Sequence, residues 1–226
     1  ISSLNKKIKI NDTININIDN KNKMEIDSIQ YLLNDIEINS NHTLNNANTG
    51  EKEIKAIIYH DSKKTIVNKK IIVFSKNSPK LYRYKVINEF PHDQKAYTQG
   101  LEFDGDDLYE STGLNGKSSL RKISFKKGEI IKIVPLNETY FGEGITILNN
   151  KIIQLTWKSK IGFVYNKLTM EVKNSFEYSQ SIEGWGLCND GKFIYKSDGS
   201  NKIWKLDANT YKELSFIEVF TNKSKL

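Results

Sequence analysis

The sequence predicts an all-β protein in which residues 1–80 form a small β-sandwich of immunoglobulin-like type and residues 81–226 form part of a β-propeller. Three observations carry this. Composition breaks near residue 80, since 12 of the 13 glycines and all three tryptophans lie beyond residue 83. Hydrophobic residues before the break alternate with a period of two. After it, a unit of about 42 residues recurs.

In the first region, Lys7-Ile8-Lys9-Ile10, Thr13-Ile14-Asn15-Ile16-Asn17-Ile18 and Ile36-Glu37-Ile38 each offer one face to bury and one to wet. Two longer apolar stretches, 53–59 and 70–74, flank turn residues Asp61-Ser62-Lys63. Roughly six short strands in so few residues suggest a sandwich, with a β-rich spacer of no named fold as the alternative. His42 and His60 lack ligand spacing and read as surface residues. Ser75-Lys76-Asn77-Ser78, followed by Pro79, reads as a linker.

The second region repeats a Gly-aliphatic pair at Gly100-Leu101, Gly144-Ile145 and Gly186-Leu187. A polar turn follows each pair (Asp104-Gly105-Asp106-Asp107, Asn149-Asn150 and Asn189-Asp190-Gly191), and three further short strands follow each turn. Four strands per unit is the pattern of a propeller blade, whose innermost strand lines a central channel. The repeated glycine therefore falls where backbone approaches the axis and where a ligand could bind. About three and a half such units fit between Tyr82 and Leu226.

Composition excludes several function classes. The net charge of +7 is spread thin and 32 of the 34 cations are lysine, with arginine only at 83 and 121. Nucleic-acid readers instead cluster their charge and favour arginine forks, so no nucleic-acid partner is expected. No apolar run is long enough for a transmembrane helix. The single cysteine, Cys188, rules out an internal disulfide framework and a Cys-cluster zinc site, and it reads as a small buried hydrophobe.

Chemistry-bearing residues gather in a few stretches: Phe90-Pro91-His92-Asp93 leading into Tyr97-Thr98-Gln99-Gly100, then Glu110-Ser111-Thr112-Gly113 with Arg121, then Phe141-Gly142-Glu143-Gly144. Gln154-Leu155-Thr156-Trp157-Lys158, Glu183-Gly184-Trp185-Gly186 and Ser197-Asp198-Gly199-Ser200 complete the set. In this order, over about residues 82–219, they resemble the glutamine cyclotransferase family, the plant- and bacterial-type glutaminyl cyclases. A sandwich ahead of the propeller resembles the arrangement in some bacterial members.

The resemblance implies a five-bladed propeller and an aminoacyltransferase that converts the N-terminal glutamine of peptides or proteins to pyroglutamate and releases ammonia. It implies Glu143 as the catalytic residue. One carboxyl group in a semi-apolar channel can take a proton from the attacking amine and return it to the leaving ammonia, and the flanking glycines let backbone approach the substrate. An acidic residue capping a turn is the structural alternative.

Trp157 and Trp185 would wall the pocket by apolar packing and indole N–H bonds, unless they merely fill the core, as Trp204 is expected to. Gln99 would bond the substrate, and Phe141 precedes the catalytic motif. Tyr97 stands where the family often has phenylalanine. Arg121 would anchor a carbonyl or carboxylate, or else form a blade-stabilising salt bridge. His92-Asp93 and Ser197–Ser200 read as turns. No metal and no other cofactor is called for, because no His/Asp/Glu spacing argues for one.

The family's later blades carry a further pocket asparagine, tryptophan and lysine. Three and a half blades fall short of five, so the sequence is expected to be truncated, and these 226 residues alone to show little activity and poor solubility. The rival reading is a non-catalytic propeller binding module, or a scaffold. An exported location, periplasmic or at the cell surface, is carried by the resemblance alone. Oligomeric state is not legible.

Overall fold

The computed structural model describes residues 1, 7–45 and 47–226, and divides into two compact units, 1–81 with 217–226, and 82–216. Every regular element in the described residues is a strand.

The first unit comprises β1 (Ile8–Lys9), β2 (Thr13–Asn15), β3 (Ser28–Leu33), β4 (Ile36–Ile38), β5 (Asn41–Thr43), β6 (Gly50–His60) and β7 (Lys63–Phe74). One sheet has the order β1-β7-β6-β3-β4, with β1 and β7 parallel, and β2 pairs with β5 separately. The two sheets share one core of Ile8, Ile14, Ile16, Leu44, Ile54, Ile71 and Val73. Burial follows the period-two pattern, as at Ile54, Ala56 and Ile58 on β6. Asp61 and Ser62 close the β6–β7 hairpin with φ of 47° and 55°, the two-residue turn that matches strand twist.

Three details depart from the sequence reading. Ile36 is 71% exposed, because β4 is an edge strand whose outer face meets water. His60 is half-buried and bonds Thr65 Oγ1 through Nε2 at 2.9 Å. Residues 219–226, assigned to the propeller by pattern, pack in the first unit, where Phe220 meets Phe74 edge-on at 5.7 Å and Ser75 N donates to Thr221 O at 3.2 Å. Docking of a tail is a tertiary event that leaves no periodic trace.

The second unit holds three four-stranded antiparallel sheets. They are β8 (Thr98–Asp104), β9 (Asp107–Thr112), β10 (Ser119–Ser124) and β11 (Glu129–Pro135); β12 (Gly142–Leu148), β13 (Lys151–Thr156), β14 (Ile161–Asn166) and β15 (Val172–Glu177); and β16 (Leu187–Asn189), β17 (Phe193–Ser197), β18 (Lys202–Asp207) and β19 (Glu213–Glu218). Each sheet runs in chain order, and neighbouring sheets touch through β8, β12 and β16. This is propeller-blade architecture. The extra half unit read from the sequence carries no strand, since residues 75–97 hold no regular element.

The repeated glycines sit where these inner strands meet. A Cβ on Gly100 would lie 2.6 Å from Ile145 N, and one on Gly144 would lie 2.7 Å from Leu187 N and strike Trp185 O. Both obstacles are backbone and cannot swing away. Gly144→Ala is therefore expected to cost about 1–3 kcal/mol or more, read as a fall in urea midpoint at unchanged m-value.

Residues paired with the following aliphatics (Leu101↔Glu110, Ile145↔Gln154 and Leu187↔Lys196) mark a second repeated position. All three polar side chains are fully buried and each has partners of its own, although Glu110 Oε2 has no hydrogen bond among the described residues and faces Arg121 Nη1 at 3.6 Å. Glu110 accepts from Thr98 Oγ1 at 2.5 Å and lies 3.0 Å from His92 Nε2. Gln154 donates to Ser111 Oγ at 2.7 Å and accepts from Tyr165 Oη at 2.7 Å. Lys196 pairs with Glu213 at 2.9 Å.

Candidate active site

Two irregularities in the blades aim side chains into one place. The β8–β9 register shifts between Thr98 and Gly100, which leaves Gln99 as an extra residue, and the β12–β13 register shifts between Gly142 and Ile145, which spans Glu143 and Gly144. Such bulges bend the strand and redirect a side chain. The third blade presents Trp185 at the same position, just before Gly186.

Gln99, Glu143 and Trp185 thus occupy equivalent positions in consecutive blades, and with Tyr97, Phe141 and Trp157 they line a cavity of about 310 Å³. Phe141 meets Tyr97 edge-on at 6.1 Å and Trp157 at 5.5 Å. Gly113 leaves room for the Phe141 ring and Gly199 for the Trp185 indole, since a Cβ on either would strike the ring.

Glu143 is only 9% exposed. No residue among those described forms a hydrogen bond or ion pair with its carboxylate. Burial, and then the nearby Glu183 carboxylate, push its pKa up to about 7. A carboxyl poised near neutrality can both accept and donate a proton at physiological pH.

Six of the seven side chains singled out from the sequence meet at this cavity. Arg121 does not. It is buried beside Glu110, with Nη1 3.0 Å from Asp93 Oδ2 and 3.6 Å from Glu110 Oε2, and its Nε donates to Ser119 Oγ at 2.9 Å. It takes the blade-stabilising role that was the alternative for it. Asp93 also caps a turn by accepting from Lys95 N at 2.9 Å. Trp204 fills the core and donates to Asp198 at 2.7 Å. Cys188, expected to be buried, is exposed on β16.

The indole N–H groups are not free for a ligand, contrary to the sequence reading. Trp157 Nε1 donates to Glu183 Oε2 at 2.5 Å and Trp185 Nε1 to the same oxygen at 2.8 Å. Glu183 stood in one of the chemistry-bearing stretches, but sequence reasoning gave it no role. Its only signal was its place three residues before Gly186, the position of Tyr97 and Phe141 in the other blades.

Residues 53–226 match the family model described as glutamine cyclotransferase. The chain belongs to the glutamine cyclotransferase family. Over 136 residues it is 40% identical to a glutaminyl-peptide cyclotransferase of Arabidopsis thaliana, covering 60% of this chain and 42% of the plant protein. It is also similar to the crystal structure of Myxococcus xanthus glutaminyl cyclase, with a TM-score of 0.54 and 28% identity, covering 60% of this chain and 56% of that one. The chain therefore spans about half the length of these family members. Among the described residues no group of three or more His, Cys, Asp or Glu side chains could hold a metal ion, and no helix is long and apolar enough to cross a membrane.

Proposed function

We propose that the protein containing this chain is a glutaminyl-peptide cyclotransferase, a transferase that closes N-terminal glutamine into pyroglutamate on peptides or proteins. The observation that supports this most directly is Glu143, the one carboxylate in an otherwise aromatic and amide-lined cavity, with its pKa raised to about 7.

The unprotonated α-amine attacks the side-chain amide carbon, forming the ring C–N bond. Glu143 takes the proton that the amine loses and gives it to the amide nitrogen. The C–N bond of the tetrahedral intermediate then breaks, and ammonia leaves. The aromatic walls exclude water from this exchange and hold the glutamine side chain folded toward its own amine, which is the entropic part of the catalysis. Gln99 offers an amide donor and acceptor to the polar end of the substrate.

The test is incubation of the full-length protein with a Gln-initiated dipeptide in the presence of a chelator. Equal amounts of ammonia and pyroglutamyl product are expected, at a rate the chelator does not change. Absence of ammonia would overturn the reading, and loss of activity on chelation would overturn its metal-free chemistry.

A further inference from the structure

The three blades present the same inner-strand positions, so a departure in one of them stands out. Three residues before the repeated glycine, the first two blades place the rings of Tyr97 and Phe141, which wall the cavity. The third blade places the carboxylate of Glu183 there, half-buried. Its Oε2 accepts both indole N–H groups, from Trp157 at the end of one blade's β13 and from Trp185 at the start of the next blade. One oxygen thus ties two rings from two sheets.

We infer that Glu183 is a positioning residue for the reaction proposed above, on which this inference rests: by holding both indole N–H groups on one oxygen it sets the angle of the two tryptophan walls and withholds those donors from the substrate. An ionised carboxylate is a stronger acceptor than the neutral amide oxygen of a glutamine side chain, so a bound substrate does not displace it. The tryptophans then present ring faces and edges only. Recognition of the substrate's polar atoms falls to Gln99, Glu143 and the Tyr97 hydroxyl among the lining side chains.

Hydrogen bonds from Trp185 and Trp157 hold the Glu183 carboxyl below its ordinary pKa against burial, which keeps the clamp ionised. Its charge in turn helps keep Glu143 protonated up to near neutrality. The other groups around the pair are Tyr178 near Glu143, and Lys158 and Asp198 near Glu183.

The experiment uses full-length protein labelled with ¹⁵N-tryptophan, with Trp157→Phe and Trp185→Phe to assign the two indole N–H signals. Glu183→Ala is expected to move both signals and to lower kcat/KM on the order of 100-fold, mostly through KM. Glu183→Gln keeps an acceptor oxygen in place. It is expected to leave both indoles hydrogen-bonded in the substrate-free protein and to raise KM less than Glu183→Ala does, while the acid limb of the kcat/KM profile moves to lower pH because the charge near Glu143 is gone. Unmoved indole signals in Glu183→Ala, or equal KM values in Glu183→Ala and wild type, overturn the inference. A wild-type protein that releases no ammonia sinks the proposed reaction instead, and the indole signals then still decide whether the clamp exists.

Discussion

Glu143→Gln is expected to lower the rate of ammonia release by about 10³-fold, the usual weight of a positioned proton-transfer group, while leaving the cavity intact. Glutamine has nearly the same shape and cannot accept the amine's proton. The wild-type pH profile carries the same signature. Glu143 must be ionised to act as base, so kcat/KM rises as pH climbs through about 7, and the peptide's own α-amine, with an ordinary pKa of about 8, must also lose its proton.

Stability moves the opposite way. A carboxyl whose pKa is raised by folding favours the fold while it is protonated. That advantage is complete below its unfolded pKa near 4.5 and is lost as pH rises through about 7. Above neutrality the ionised, buried Glu143 burdens the fold by up to about 3 kcal/mol. Glu143→Gln is therefore expected to melt higher than wild type at pH 8 and with little difference at pH 4. A variant that keeps its rate would remove Glu143 from the mechanism, and equal melting temperatures at both values would remove its raised pKa.

Lys196→Ala is expected to be the most destabilising single change in the blades, by about 3–5 kcal/mol. Lys196 is fully buried on β17. Its ammonium lies 2.9 Å from Glu213 Oε1, donates to Ser181 Oγ, and stands 3.6 Å from the centroid of the Tyr178 ring. Burial holds the lysine below its ordinary pKa. For Glu213, burial alone would raise the pKa, but hydrogen bonds from Ser181 and Lys196 keep it low. Removing the cation leaves an unpaired buried carboxylate that still receives the backbone N–H of Gln180 and Ser181.

Lys196→Met with Glu213→Gln is expected to recover roughly 2 kcal/mol of that loss, because a neutral amide oxygen still accepts those backbone donors and no lone charge remains. Denaturant unfolding of the single and double variants reads both numbers. A double variant no better than Lys196→Ala would mean that packing around the lysine stem, and not its charge, is what the fold needs.

Much of this site was legible because blades repeat. The Gly-aliphatic register at Gly100, Gly144 and Gly186 locates the inner strand of each sheet, and the residues just before each glycine, Gln99, Glu143 and Trp185, are those the structure turns into the cavity. Arg121 shows the limit. A lone arginine between polar neighbours reads equally well as a substrate anchor or as a structural cation, and only the packing of Asp93 and Glu110 around it decides. Cys188 fails for a related reason, because a central position in a short strand does not say which side of β16 is covered.

By itself the sequence determined that this chain is all-β, that a sandwich-like region precedes repeated four-stranded units, and that one carboxylate stands among aromatics at a recurring glycine. Those facts are local: alternation, turn chemistry and period are written along the chain. The tertiary structure alone decided the bulges that swing Gln99 and Glu143 inward, the docking of residues 219–226, and the clamp by which Glu183 holds Trp157 and Trp185. Each depends on groups far apart in the chain meeting at hydrogen-bond distance. Burial then turns those meetings into chemistry, since the cavity that leaves Glu143 without a partner among the described residues is also what lifts its pKa to about 7.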